Sequence, residues 1–382
     1  MQFQGKHIVI VGPAYPLRGG LASYNERLAL ELMQNNRITL LTFSLQYPQF
    51  LFPGESQLSA DAKPENLTID IALNSINPLN WISTGLKYKR LKPDLIIFRY
   101  WMPFFGPCFG TLARIIKRNK QTHIIAITDN IIPHEPRFFD KLFSRYFLSI
   151  LDGALAMSKK VLDDLHNFPL RKPLPKMIYH AHPLYDNFGS GVNRIEACSR
   201  LQLDANKRYV LFFGFIRHYK GLDLMLHAMA LLPKYLDDVV LIVAGEFYED
   251  SKPYLSIISE KKLESRVELR THFIPNSEVN LYFSVADLVA QPYRNATQSG
   301  VSQIAYHFEL PMIITNVGGL SELVPHGQAG LVCEANAEAL SLALTEIYKP
   351  GLLTHIRTQL ATLKQQFSWV SLGKALESIS EK

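Results

Sequence analysis

The feature that most constrains this chain is a series of short, unbroken apolar runs separated by segments of helical period. In the first half the runs are His7–Val11, Ile38–Phe43, Leu67–Ile71, Asp94–Tyr100, His123–Thr128, Gly153–Ser158 and Met177–Ala181. In the second half they are Tyr209–Phe213, Val239–Ala244, Arg266–His272, Leu288–Gln291 and Met312–Thr315. A strand with one wet face alternates apolar and polar side chains. These runs do not alternate, so both faces must be covered, as in a parallel sheet lined by helices. Amphipathic segments follow many of them: Leu21–Met33, Gly106–Arg118 and Phe139–Leu151, then Leu222–Leu232, Pro253–Lys262, Ser277–Ser284 and Ser299–Phe308. The repeated strand–helix–strand order predicts an α/β fold of doubly wound parallel sheets.

At 382 residues the chain is too long for one ordinary core. The alternation breaks between Pro183 and Asn206, a stretch rich in Gly, Ser, Asp and Asn, and restarts at Tyr209. The expected division is a first Rossmann-like domain over 1–185, a linker over 186–206 and a second Rossmann-like domain over 207–366. A last helical pattern, Trp369–Ile379, lies within 367–382 and has no strand of its own.

Composition excludes several classes. Apolar residues make up 47% and charged residues 19%, the balance of a globular chain and not of a disordered one. No apolar run approaches the ~20 residues that span a bilayer. The apolar stretch after His7 is too short for a secretory leader, so the expected location is cytoplasmic. Cys108, Cys198 and Cys333 are isolated and lack metal-ligand spacing, which fits a reducing compartment and buried thiols. The net charge of +6 is too mild to argue for nucleic acid, and fits a phosphate ligand, an anionic membrane surface or nothing specific equally well.

Open α/β sheets bind ligands beyond the carboxyl ends of their strands, and there the sequence places glycines and cations. After the first strand Arg18, Gly19 and Gly20 precede a helix. Paired glycines let backbone approach an anion, and a helix N-terminus offers N–H groups to it. A tight turn with no ligand is the alternative. After Phe213 come Gly214, Arg217, Lys220 and Gly221, a guanidinium and an ammonium able to meet a diphosphate, with two solvated loop cations as the alternative. Late in the chain Gly318 and Gly319 end another strand, with Glu322 placed to hold a hydroxyl or to cap a helix.

Together these turns resemble the family 4 glycosyltransferases of GT-B fold. The likeness is carried by Gly214–Gly221, by Ile274-Pro-Asn-Ser-Glu278, by Ala286-Asp287 leading to Gln291-Pro-Tyr293, and by Val317–Glu322. Arg18-Gly-Gly and the run Thr128-Asp-Asn-Ile-Ile-Pro-His134-Glu135 agree in the first half. The resemblance implies two Rossmann-like domains facing across a cleft, with the C-terminal helix crossing back to the first. It implies a nucleotide-sugar donor on the second domain: Phe273, Ile274 and Pro275 at the base, Arg217 and Lys220 on the diphosphate. Gly19 and Gly20 would close from the first domain. It also implies transfer with retention, without metal or cofactor, to a glycan or lipid-linked acceptor in cell-surface polysaccharide synthesis. Asp129 and His134 are candidates to orient or deprotonate the acceptor, or to make ordinary capping and loop hydrogen bonds.

One departure stands out. Where the family has two glutamates separated by seven residues, aligning Gly300 with the motif glycine puts Ala296 and Ile304. Neither can bind a hydroxyl. Thr297, Gln298 and Ser299 are the polar substitutes in the same loop. The departure keeps open a non-catalytic nucleotide-sugar-binding protein, or another GT-B nucleotide-sugar enzyme. On the acceptor side, Tyr100 and Trp101 in the aromatic run Phe98–Phe105, with Glu135, either line a groove or fill core and loop. Two basic clusters, Lys87/Lys89/Arg90/Lys92 and Arg114/Lys117/Arg118/Lys120, fit a solvated face or peripheral association with anionic lipid on the inner membrane face.

Overall fold

The computed structural model describes residues 4–48, 56–59, 62–132, 138–296 and 299–380. In chain order the elements are β1 (His7–Val11), α1 (Gly20–Leu32), β2 (Arg37–Leu45), β3 (Ile69–Asn74), α2 (Pro78–Leu91), β4 (Leu95–Tyr100), α3 (Gly106–Lys117), β5 (His123–Thr128), α4 (Asp140–Leu148), β6 (Gly153–Ala156), α5 (Lys159–Asn167) and β7 (Met177–Tyr179). They continue with α6 (Arg194–Leu201), β8 (Arg208–Phe213), α7 (Leu222–Ala230), β9 (Val239–Ala244), α8 (Lys252–Glu260), β10 (Val267–Arg270), α9 (Val279–Val285) and β11 (Leu288–Gln291). The last are α10 (Gly300–His307), β12 (Met312–Thr315), α11 (Leu320–Leu323), β13 (Gly330–Cys333), α12 (Ala337–Ile347), α13 (Leu352–Leu363) and α14 (Trp369–Ser380).

The chain divides into two compact units, one holding the residues up to Pro183 together with those from Ser368 on, the other Leu184–Phe367. The first is a seven-stranded sheet in the order β3-β2-β1-β4-β5-β6-β7, and its strands pair in parallel. Its core is aromatic: Phe98, Phe105, Phe109 and Phe147 are fully buried and meet edge-on, tilted or, for Phe105 and Phe109, stacked. The terminal helix α14 belongs to this unit. Gly153 lets it come close, since a Cβ there would lie 2.4 Å from Ile379 Cγ2, and His180 Nε2 meets Ser371 Oγ at 2.9 Å.

The second unit is a six-stranded parallel sheet in the order β10-β9-β8-β11-β12-β13. The stretch expected as a linker is part of it. Asn193 caps α6 through Ile195 N–H, and Arg194 binds Val285 O, Asp287 and Lys207 O. Ala197, Cys198 and Leu201 are buried beneath. Polar residues that suggested a free connection are here the cap and outer face of an amphipathic helix. The cysteines form no disulfide; Cys108 and Cys198 are buried and Cys333 half-buried.

A candidate anion site at the switch point of the second sheet

Strand order reverses between β8 and β11, so the loops leaving these two strands diverge and open a crevice. Gly214 leaves β8 at φ +94°, a conformation a side chain rarely takes. The Lys220 ammonium folds back against it: a Cβ on Gly214 would lie 2.9 Å from Lys220 Nζ. The turn carrying Lys220 is clamped from the β11 loop. Gly221 approaches Pro292 so closely that a Cβ would be 2.0 Å from its carbonyl oxygen. Arg294 N–H donates to Tyr219 O at 2.7 Å, and the Arg294 guanidinium grips Asp223 through both nitrogens at 2.6–2.7 Å.

Lys220 is therefore held, and it is 8% exposed. Among the described residues no carboxylate pairs with it; its neighbour is the face of Tyr293, 5.6 Å from Nζ to the ring centroid. Burial, and after it the charge of Arg217, pushes the ammonium down to about 8. Tyr293 is buried, and its hydroxyl lies 3.3 Å from Ser299 Oγ, at the N-terminal end of α10. Val301 of that helix also faces Gly214, 3.9 Å from its would-be Cβ. A buried ammonium lies over the ring of Tyr293, and a seryl hydroxyl at a helix N-terminus lies beside the phenol oxygen of the same residue. All three favour negative charge.

The third glycine turn braces this loop. Gly318, at φ +53°, comes so near residue 296 that a Cβ would be 1.6 Å from Ala296 O, and Gly319 N–H donates to the same oxygen at 3.2 Å. Ala296 and Ile304 are themselves buried, 4% and 5% exposed. At the family's glutamate positions this chain has core packing instead. Glu322 is exposed on the short α11. Gly300 is needed where it stands, since a Cβ would come 2.8 Å from the Tyr185 ring. Thr297 and Gln298 lie outside the described residues, as do His134 and Glu135.

Beyond the neighbouring strand ends lies an aromatic shelf, of which the sequence singled out Phe273 alone. Phe215 follows β8, Tyr248 follows β9 and Phe273 follows β10. Phe215 stacks on Tyr248 at 4.2 Å between centroids and stands 6.3 Å from Phe273. Arg217 is exposed and lies over Tyr248, 5.1 Å from its centroid. Ile274 is buried behind and Pro275 half-buried.

The first unit holds a different arrangement at its own switch point, between β1 and β4. Arg99, 1% exposed, forms an ion pair with Asp129 at 2.5 Å, and its guanidinium lies 3.8 Å over the Tyr24 ring. Tyr24 in turn meets His182 and Trp369 edge-on or tilted. Gly12 makes room for this group, since a Cβ would be 2.9 Å from Arg99 Cβ. Asp129 thus neutralises a buried arginine, a role that spacing alone did not suggest. Tyr100 is fully buried with its hydroxyl 2.9 Å from Ser144 Oγ, which makes it core filling and not a groove residue. Trp101 is half-buried and donates to Tyr47 Oη at 2.9 Å. Arg18 and Gly19 precede α1, with Gly19 at φ +104° and Gly20 exposed. Among the described residues no group of three or more His, Cys, Asp or Glu could hold a metal ion.

Two parallel-sheet units of this kind make the fold that of the GT-B glycosyltransferases. Anabaena HepE in complex with UDP-glucose superposes with a TM-score of 0.73 at 16% identity, over 97% of this chain and 98% of that one. Residues 194–360, within the second unit, match the family model Glycosyl transferases group 1. The chain is 29% identical over 197 residues to the lipopolysaccharide core biosynthesis mannosyltransferase LpsB of Rhizobium meliloti, covering 50% of this chain and 56% of that protein. It is 26% identical over 327 residues to the D-inositol 3-phosphate glycosyltransferase of Mycolicibacterium gilvum, covering 70% and 72%. Against LpsB the chain thus spans about half of the relative's length.

Proposed function

We propose that this protein is a glycosyltransferase whose second unit holds a nucleoside-diphosphate sugar, with the diphosphate on Lys220, Arg217 and the N-terminus of α10. The observation that carries the reading is Lys220: a buried ammonium without a carboxylate partner among the described residues costs free energy unless an anion completes it. The base lies on the shelf of Phe215, Tyr248 and Phe273, a flat apolar surface suited to a nucleobase. UDP-glucose in Anabaena HepE and the mannosyltransferase activity in LpsB's name support a nucleotide-sugar donor and a glycan or lipid-linked acceptor.

In the transfer, the bond from sugar C1 to the terminal phosphate oxygen breaks and the acceptor oxygen bonds C1. The acceptor proton passes to the departing phosphate. Lys220 and Arg217 meet the charge that grows on that oxygen, where a donor of this kind is worth roughly 100- to 1000-fold in rate. Retention of the anomeric configuration and charge neutralisation by cations and a helix N-terminus, without metal, follow from the family resemblance. Ser299 takes over contacts that Ala296 and Ile304 cannot make. The test is product formation from radiolabelled UDP-, GDP- and ADP-sugars with and without a membrane extract as acceptor. Labelled product that Lys220→Met abolishes supports the reading; donor turnover that never needs an acceptor overturns it.

A further inference from the structure

Two charged side chains of the second unit are buried, Lys220 and Glu246, and Glu246 is the one buried carboxylate among the described residues, 5% exposed. Lys220 serves the diphosphate. Glu246 stands at the end of the next strand, β9, and the backbone fixes which way it faces. Gly245, at φ +148°, backs onto Gly214 so closely that a Cβ would lie 2.2 Å from Gly214 O. Ile216 N–H donates to Glu246 O at 2.8 Å and Tyr248 N–H to Ile216 O at 3.0 Å, which pairs Ile216 with Phe247 in parallel. Side chains alternate along such a pairing. Ile216 and Phe247 therefore share one face, and Glu246, Phe215 and Tyr248 share the other. The stack of Phe215 on Tyr248 agrees, while Phe247 packs on Tyr254. The next two acids of this loop serve its own turns. Glu249 accepts from His218 N–H and from the Tyr254 hydroxyl, and Asp250 from Lys252 N–H.

Strand order says what lies over Glu246. The sheet runs β10-β9-β8-β11. At its carboxyl end the Lys220 ammonium lies against Gly214, just after β8, and near α10, which follows β11. Phe273 follows β10 on the far side, and Glu246 follows β9, between the two. A nucleoside diphosphate laid along this row, phosphates at the ammonium and base at Phe273, has its ribose over the end of β9. Ribose offers two neighbouring hydroxyls, and a carboxylate has two oxygens to accept from both. Ala296 and Ile304 supply no such acceptor, and a polar group buried here needs hydrogen bonds to offset its lost water. We propose that Glu246 accepts hydrogen bonds from the ribose hydroxyls of the donor, and so makes the site select ribonucleotides. The inference rests on the donor reading of this crevice.

The test is calorimetric titration of the whole chain with UDP, GDP and ADP, each beside its dideoxyribose counterpart, in wild type, Glu246→Gln and Glu246→Met. Hydrogen bonds to a charged acceptor are strong enough that wild type should bind one ribonucleotide about tenfold or more tighter than its dideoxy form. Glu246→Gln should cut that preference to about threefold or less, and Glu246→Met should abolish it, with dideoxy affinity held within about twofold. Both variants keep the length of the side chain, and a melting temperature no lower than that of wild type checks that they fold. A preference that both variants retain overturns the proposal, as does a wild type that shows none. Equal loss of ribose and dideoxyribose binding also overturns it, since Glu246 would then brace the loop after β9 without touching the ribose. In each of these cases wild type still binds a nucleoside diphosphate, and the donor site stands. A wild type that binds none of the three overturns both.

Discussion

The ammonium of Lys220 lies in the space that Gly214 leaves by having no side chain, 2.9 Å from where a Cβ would stand. Gly214→Ala should therefore displace the ammonium and strain a backbone held at φ +94°. We expect nucleoside-diphosphate affinity to fall about tenfold or more and stability to drop by roughly 1–2 kcal/mol. Titration calorimetry and chemical denaturation check the two effects separately.

Lys220→Met should separate binding from stability. The variant removes a buried charge, so the ligand-free protein should melt at least as high as wild type while losing its response to nucleoside diphosphates. The pH dependence has a definite sign. The folded value, about 8, lies below the unfolded 10.5, so the unfolded chain holds more protons between them. Lys220 thus makes the wild type gain stability as pH rises from about 8 toward 10, by at most ~1.4 kcal/mol per pH unit. The wild-type-minus-variant difference in unfolding free energy, measured across that range, should rise. A flat difference would contradict the burial of this charge.

The ion pair of Arg99 and Asp129 predicts a stability effect in the first unit. Asp129→Asn leaves a guanidinium buried without its counter-charge and should cost ~3–5 kcal/mol. Arg99→Met/Asp129→Asn should recover much of that loss. If Asp129→Asn leaves the melting temperature unchanged, the pair does not hold this region together.

The aromatic shelf predicts selectivity. Phe273→Ala should weaken nucleoside-diphosphate binding about tenfold through lost stacking, ~0.5–1.5 kcal/mol beyond the area it covers. Binding of inorganic pyrophosphate, which has no base, should stay the same. Equal losses for both ligands would place the base elsewhere.

Much of this fold was legible in the sequence because parallel strands buried on both faces leave unbroken apolar runs. His7–Val11, His123–Thr128, Val239–Ala244, Leu288–Gln291 and Met312–Thr315 form strands with the bounds their sequence suggests. β13 was missed. It is four residues long, and it begins with Gly330, which is there because a Cβ would strike Met312 O at 1.9 Å; a residue chosen for close approach hides a strand's composition. α6 was read as a linker because its polar residues face out and its cap resembles a loop. At the site, Gly214, Arg217 and Lys220 were visible because they lie in one short turn. The Arg99–Asp129 pair, the Phe215–Tyr248 stack and the closure of Ala296 onto Gly318 join residues from different strand ends. Only tertiary structure brings those together. Lys117 and Arg114 likewise read as a free basic face and turned out to hold Asp152 and Tyr146.

The most direct test of the account is a thermal-shift screen of wild type and Lys220→Met against UDP, GDP, ADP, CMP and their common sugars. A ligand at 100 times its dissociation constant stabilises a fold by ~2.7 kcal/mol. The account predicts that one nucleoside diphosphate and its sugars raise the wild-type melting temperature and leave the variant unmoved. Equal shifts in both proteins, or none in either, would contradict a donor site built on Lys220.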